Sequence, residues 1–146
     1  MQGSRGTVAG KLRVGIVGFG AVAHFHAEAY RSIPTIEVVG VADPDPKRLR
    51  EASDRFGLPH FQSFDELLAE SAPDLVCVLT PPALHEELAL QCARAGVHVL
   101  CEKPLALSVE ACERMIEGCR ANGVRLAYGA SYRYLPALAL SHTMVR

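Results

Sequence analysis

The stretch HVLCEKPL, residues 98–105, carries an apolar run directly into Glu102, Lys103 and Pro104. An ionisable pair where a buried strand gives way to a loop is a place where a fold can present chemistry. Neighbouring side chains on extended backbone point to opposite sides, so a simple salt bridge between Glu102 and Lys103 is not expected. An ammonium so placed can stabilise negative charge developing on an oxygen, or orient a hydroxyl for proton removal. Two further stretches carry comparable signals: GFGAVA, residues 18–23, and Asp43, twenty residues beyond Ala23.

Gly18, Gly20 and Ala23 stand in G-x-G-x-x-G/A spacing, with Ala21 and Val22 inside the same turn. Gly18 permits a tight turn, Gly20 lets a pyrophosphate approach the backbone, and Ala23 is small enough for a helix to pack on a sheet. The N-terminus of that helix then offers unbonded amides and the positive end of its dipole to the phosphates. Asp43 can accept both hydroxyl hydrogens of an adenosine ribose. It could instead simply open the turn DPDP. Asp45 is the expected cap of the next helix, which leaves Asp43 for the ribose. S-adenosylmethionine methyltransferases also place a glycine-rich turn after the first strand and an acid after the second, so these residues alone leave that class open. Thr80, Pro81 and Pro82 at the end of a fourth strand, and Lys103 at the end of a fifth, must decide.

These residues are useful only if the elements around them bring them together. The chain has 146 residues, 49% of them hydrophobic and 21% charged, ample for one packed domain. A net charge of −1 gives no reason to expect nucleic acid or an anionic membrane as partner. No apolar run reaches the roughly 18 residues of a membrane span, and MQGSRGTVAGKLR lacks the hydrophobic stretch of a signal peptide, so a cytoplasmic protein with a small-molecule ligand is expected. Five cysteines without C-x-x-C spacing argue against a disulfide framework or a zinc site. Cys112, Met115, Ile116 and Cys119 recur at helical spacing and are expected on one buried face. His24 and His26, two apart on a helix, would face different ways and make a poor metal pair; no metal is expected.

Strand and helix patterns alternate along the chain. Strands are expected at Leu12 to Val17, Ile36 to Ala42, Leu75 to Leu79, Val97 to Cys101 and near Val124 to Tyr128. Helices are expected between them. The first covers Ala21 to Arg31; the second is opened by Asp45 and Pro46 and stopped by Gly57; the third, Phe64 to Glu70, is started by a Ser63/Glu66 capping box. Two more run from Leu84 to Ala95 and from Ser108 to Asn122. Continuous apolar strands belong to a parallel sheet covered on both faces, which predicts an α/β, doubly wound Rossmann fold in a single domain. Ligands of such sheets bind beyond the carboxyl ends of the strands, where Lys103 also stands. Residues 1–10 are expected to form a disordered leader, 11–130 the dinucleotide-binding domain, and 131–146 the start of a linker to an absent substrate domain.

The stretches GIVGFGAVAHFHAEAY, GVADPDPKR, LTPPALHEELALQCARAGVHVLCEKPLALS and YGASYRYLPA resemble the Gfo/Idh/MocA family of nicotinamide-dependent sugar and polyol oxidoreductases. The resemblance covers nearly all of residues 12–137. It implies an N-terminal domain binding NAD or NADP. Gly18, Gly20 and Ala23 match the pyrophosphate loop and Asp43 the ribose acid. Thr80, Pro81 and His85 match the loop beside the nicotinamide ribose. Lys103 matches the lysine that touches both cofactor and substrate, Glu102 its neighbour in the cofactor pocket, and Arg133, Tyr134 and Pro136 a closing Arg-aromatic-x-Pro element. His26 matches a family histidine, for which packing is the expected physical role. Ser131 stands where many members carry Asn or His.

Members of the family continue into a second α/β domain that supplies most of the substrate pocket and usually a catalytic histidine with its acidic partner. After Pro136 only ALALSHTMVR remains here, and His142 within it is not promoted to the missing base. Two classes of function stay open: the nucleotide-binding half of an oxidoreductase, or a dinucleotide-binding module or sensor without catalysis. NAD is expected over NADP, because Asp43 suits a free 2′-hydroxyl, with Lys47 and Arg48 near enough to soften its repulsion of a phosphate. The partners expected are a sugar or polyol substrate and a second copy of the chain or the missing domain.

Overall fold

The computed structural model describes residues 10–136 and residue 141. The expected tail around His142, and most of the expected leader, lie outside the described residues. Six parallel strands form one sheet in the order β3-β2-β1-β4-β5-β6. They are β1 (Leu12–Val17), β2 (Ile36–Ala42), β3 (His60–Phe61), β4 (Leu75–Val78), β5 (His98–Cys101) and β6 (Leu126–Tyr128). This is the doubly wound order, with its switch point between β1 and β4. Between the strands run α1 (Ala21–Arg31), α2 (Pro46–Phe56), α3 (Phe64–Ser71), α4 (His85–Arg94) and α5 (Val109–Ala121). Short 3₁₀ turns at Pro82–Leu84 and Ser131–Tyr134 complete the described chain.

Local chemistry accounts for most boundaries. The Asp45 side chain accepts the Lys47 N–H, Pro46 opens α2, and Gly57 closes it in the left-handed conformation at φ 66°. Ser63 and Glu66 exchange both bonds of a capping box at the start of α3. Ser108 caps α5 through the Ala111 N–H. Strand β3 was not expected from the sequence: its two residues pair with Val41 and Ala42 at the sheet edge, too short a run to show periodicity.

The sheet separates two cores. On one face Val17, Val76, Val78, Val99 and Cys101 pack beneath α3, α4 and α5 with Leu67, Cys92, Met115 and Cys119. On the other, Val14, Ile16, Val41 and Cys77 meet α1 and α2 through Phe19, Ala23, Ala27, Leu49 and Ala52. One expectation fails on α5. Met115 and Cys119 are buried and Cys112 is half-buried, but Ile116 is 52% exposed. The buried stripe follows i, i+4, i+8 through Ala111, Met115 and Cys119, which turns Ile116 to solvent. No helix among the described residues is long and apolar enough to cross a membrane.

Candidate functional site

The carboxyl ends of β1, β2 and β4, with the loop after β3, enclose a cleft of about 610 Å³. Gly18, Gly20, Asp43, Thr80 and Pro81 line it, so residues spread over more than sixty positions of sequence meet where the strand order reverses. Gly18 and Gly20 are glycines for different reasons. Gly18 has φ 86°, and a Cβ there would lie 2.9 Å from the Thr80 backbone nitrogen, so the fold itself demands glycine. Gly20 has ordinary backbone (φ −83°) and a Cβ on it would meet nothing within 4 Å. No contact within the protein explains it. Gly20 also precedes α1 with no side-chain cap, whereas Asp45, Ser63 and Ser108 cap their helices. The turn thus leaves open space at the first N–H groups of a helix, as a phosphate needs.

Asp43 is almost fully buried, with 1% of its side chain exposed. Its Oδ2 accepts the Phe19 N–H at 2.7 Å and its Oδ1 the Asp45 N–H at 2.8 Å. The Arg48 guanidinium donates to Oδ2 at 3.3 Å. The sequence argument that Asp43 lacks a structural task is therefore corrected: this carboxylate locks the glycine turn to the end of β2 and opens the DPDP turn. Oδ2 is thereby filled, while Oδ1 keeps acceptor capacity, since a carboxylate offers about four lone-pair positions and three are taken. Across the cleft, the Thr80 hydroxyl oxygen is buried without a hydrogen-bond partner, which suits a ligand that brings one.

Other expected residues stand elsewhere. Ala23 is fully buried in the second core and acts through packing, its N–H bonding the Gly20 carbonyl. Ala21 is exposed and Val22 44% exposed in the first turn of α1. His85, expected beside a ribose, is fully buried at the start of α4. Its Nε2 lies 2.8 Å from the Thr80 carbonyl oxygen and its Nδ1 3.0 Å from that of Pro104, so the ring ties the loop after β4 to the turn after β5. Its work is on the protein's own backbone. Arg133 falls in the 3₁₀ turn Ser131–Tyr134, and its side chain lies outside what the structure describes.

Glu102 and Lys103 follow β5, the strand next to β4, and lie outside the cleft walls. Glu102 Oε2 accepts the Lys103 main-chain N–H at 2.9 Å, and Oε1 lies 3.3 Å from His26 Nε2. His26 Nδ1 is 3.1 Å from the Tyr30 hydroxyl, which is 2.9 Å from Cys77 Sγ in β4. Burial pushes the Cys77 thiol up to about 12, more than the Tyr30 bond lowers it, and burial also raises Tyr30 strongly. Both therefore keep their protons, and the contacts link Cys77, Tyr30, His26 and Glu102 into one chain of hydrogen-bonding groups. The Lys103 ammonium has no hydrogen bond or ion pair among the described residues. His24, by contrast, packs among Phe19 and Phe56 and faces Glu51, so the two histidines do serve different surfaces.

The sequence reading missed Gln62, Ser63 and Phe64, which close the cleft beside Arg48. Recognising β3 would have revealed them, because the loop after any parallel strand joins the same rim.

Residues 12–130 match the profile of the GFO_IDH_MocA family, described as an oxidoreductase family with an NAD-binding Rossmann fold. The chain is 35% identical over 133 residues to glucose-6-phosphate 3-dehydrogenase of Bacillus subtilis, covering 91% of this chain and 37% of that protein. It is 33% identical over 124 residues to myo-inositol 2-dehydrogenase of Thermotoga maritima, covering 84% and 37%. Among solved structures, the WlbA dehydrogenase of Bordetella pertussis, in complex with NADH and UDP-GlcNAcA, superposes with a TM-score of 0.89 at 33% identity, over 92% of this chain and 42% of that one. The chain thus spans little more than a third of the length of these curated relatives.

Proposed function

This chain belongs to the Gfo/Idh/MocA oxidoreductase family, and on that premise we propose that it is the nucleotide-binding half of an NAD-dependent dehydrogenase acting on a sugar or polyol. A nicotinamide dinucleotide, when bound, supplies the hydride acceptor or donor. The residues of this chain then do the holding. Gly18 and Gly20 with the start of α1 take the pyrophosphate, Asp43 the adenosine ribose, and Thr80 and Pro81 the middle of the ligand. Lys103 sits at the reacting end, its ammonium free to meet an alcohol or carbonyl oxygen and to stabilise charge developing there. The sugar or polyol class rests on the named relatives.

The observation that carries this reading is Gly20, a glycine that no contact within the protein requires, at an uncapped helix start in the cleft. Calorimetric titration of the 146-residue chain with NADH tests it. Gly20→Val should weaken binding at least about tenfold while leaving the melting temperature nearly unchanged, because its side chain points into space the ligand needs and the fold does not. No binding of NADH by the parent chain, or equal binding by Gly20→Val, would overturn the proposal. Titration with NADPH should give weaker binding than NADH, because the buried Asp43 carboxylate opposes a 2′-phosphate. Turnover of inositols, aldoses and sugar acids by this chain alone should be slight, since hydride transfer needs a substrate held against the nicotinamide and shielded from water.

A further inference from the structure

We propose that His26 is a positioning residue that keeps Glu102 from neutralising Lys103. Glu102 and Lys103 lie beyond the end of β5, where the chain leaves the extended conformation and bends, so the opposite-sides rule for strand neighbours does not keep them apart and the carboxylate could swing toward the ammonium if nothing else held it. Both its oxygens are held instead, Oε1 by His26 Nε2 and Oε2 by the Lys103 main-chain N–H. The pair with His26 is well sheltered, its side chains 20% and 17% exposed. His26 in turn is fixed from its other nitrogen by Tyr30, one helical turn further along α1, and Tyr30 is anchored on Cys77 in β4. The ladder therefore runs from the sheet core to the end of β5, and its result is a lysine ammonium with no partner among the described residues. The charged or titratable groups facing His26 are Glu102 from the turn after β5, Tyr30 from its own helix and, behind Tyr30, Cys77 from β4. An ammonium left unpaired is available to a ligand oxygen. One already paired with Glu102 would have to break that pair first.

The chain has only three lysines, Lys11, Lys47 and Lys103, so reductive ¹³C-methylation gives a simple spectrum in which Lys103→Met assigns the Lys103 signal. In the parent chain, Glu102→Gln should leave that signal in place. In His26→Leu the Lys103 signal should move, Glu102→Gln in that background should cancel the movement, and His26→Gln, whose amide nitrogen can donate where Nε2 does, should restore the parent position. If His26→Leu does not fold, His26→Asn, too short to reach Glu102, makes the same comparison. An unmoved Lys103 signal in a folded His26→Leu or His26→Asn chain would overturn the proposal, as would a movement that persists without the Glu102 charge. A second arm rests on the proposed cofactor site: His26→Leu should weaken NADH binding by up to about fivefold, the scale of an exposed ion pair, with His26→Gln near the parent, and equal NADH affinity in His26→Leu and the parent counts against the proposal. Failure of the parent to bind NADH would sink the cofactor reading and leave the spectroscopic comparison intact.

Discussion

Two strand ends in this molecule each carry a sheltered carboxylate, a backbone N–H bound to it and a cation close by, yet they are wired differently. At the end of β2, Asp43 holds two backbone amides and has Arg48 directly on it at 3.3 Å. At the end of β5, Glu102 holds one backbone amide and a histidine, while the adjacent Lys103 stays unpaired among the described residues. The first arrangement ties two loops together through one carboxylate, and its loss should be felt by the fold first. The second keeps a charge in hand, and its loss should be felt by the ligand.

The largest effect should come from breaking the β2 end. Asp43→Ala removes the acceptor for the buried Phe19 amide and for Asp45, and each orphaned donor costs about 1–3 kcal/mol. A loss of about 3 kcal/mol in urea denaturation is expected. A loss below about 1 kcal/mol would mean that water replaces the carboxylate and that this end is no more structural than the other.

Raising the pH strikes the anchor of the β5 end. Burial lifts the Cys77 thiol from its ordinary value of 9.0 to about 12, so the folded state binds a proton that the unfolded chain gives up first. Stability from this group is complete below about pH 9 and is lost as pH rises toward 12, at about 1.4 kcal/mol per pH unit. Cys92 is lifted to about 12 as well, again chiefly by burial, and adds to the same slope. Denaturation midpoints at pH 8 and about pH 10.5 should differ by about 2 kcal/mol from Cys77 alone. A flat profile over that range would mean that the thiol is not sheltered from water in the folded chain.

The contrast also marks what could be read from sequence. Both acids, the glycine turn and Lys103 were legible because a residue type at fixed spacing carries its own reason, and Asp45, Gly57, Ser63 and Glu66 placed helix ends because capping is local. What each acid does with its oxygens was not legible. Asp43 meets Phe19, twenty-four positions away, and Glu102 meets His26, seventy-six away, contacts that exist only once the sheet has assembled. The same holds for His85, whose burial between Thr80 and Pro104 leaves no mark in its own helix, and for Ile116, which recurs at helical spacing with buried residues but is exposed. Long-range packing decides among residues that local pattern leaves equivalent.

A milder break at the β5 end is Glu102→Gln. The amide oxygen can still accept the Lys103 N–H, but the charge-assisted contact with His26 is exchanged for a neutral one that requires the other ring tautomer, and about 1 kcal/mol should be lost in urea denaturation. An effect as large as that of Asp43→Ala would erase the distinction between the two ends.

The smallest effect on stability should come from the residue most exposed to function. Lys103 is exposed, its main-chain N–H bonds Glu102 Oε2, and its ammonium meets nothing among the described residues. Lys103→Met keeps the backbone donor and nearly the same stem, so the bond to Glu102 Oε2 survives and no buried group is orphaned. The melting temperature should stay within the shift expected for about 0.5 kcal/mol, the usual range for surface substitutions. If Lys103 is the ammonium that a substrate oxygen meets, the same change should abolish turnover in an enzyme that carries this chain with its substrate domain. Measuring both quantities on one variant separates the roles: unfolding would show a lysine that the β5 turn needs. Unchanged stability with unchanged turnover would show an ammonium that stands free and is not used. Unchanged stability with lost turnover would complete the contrast with Asp43, whose removal should cost the fold first.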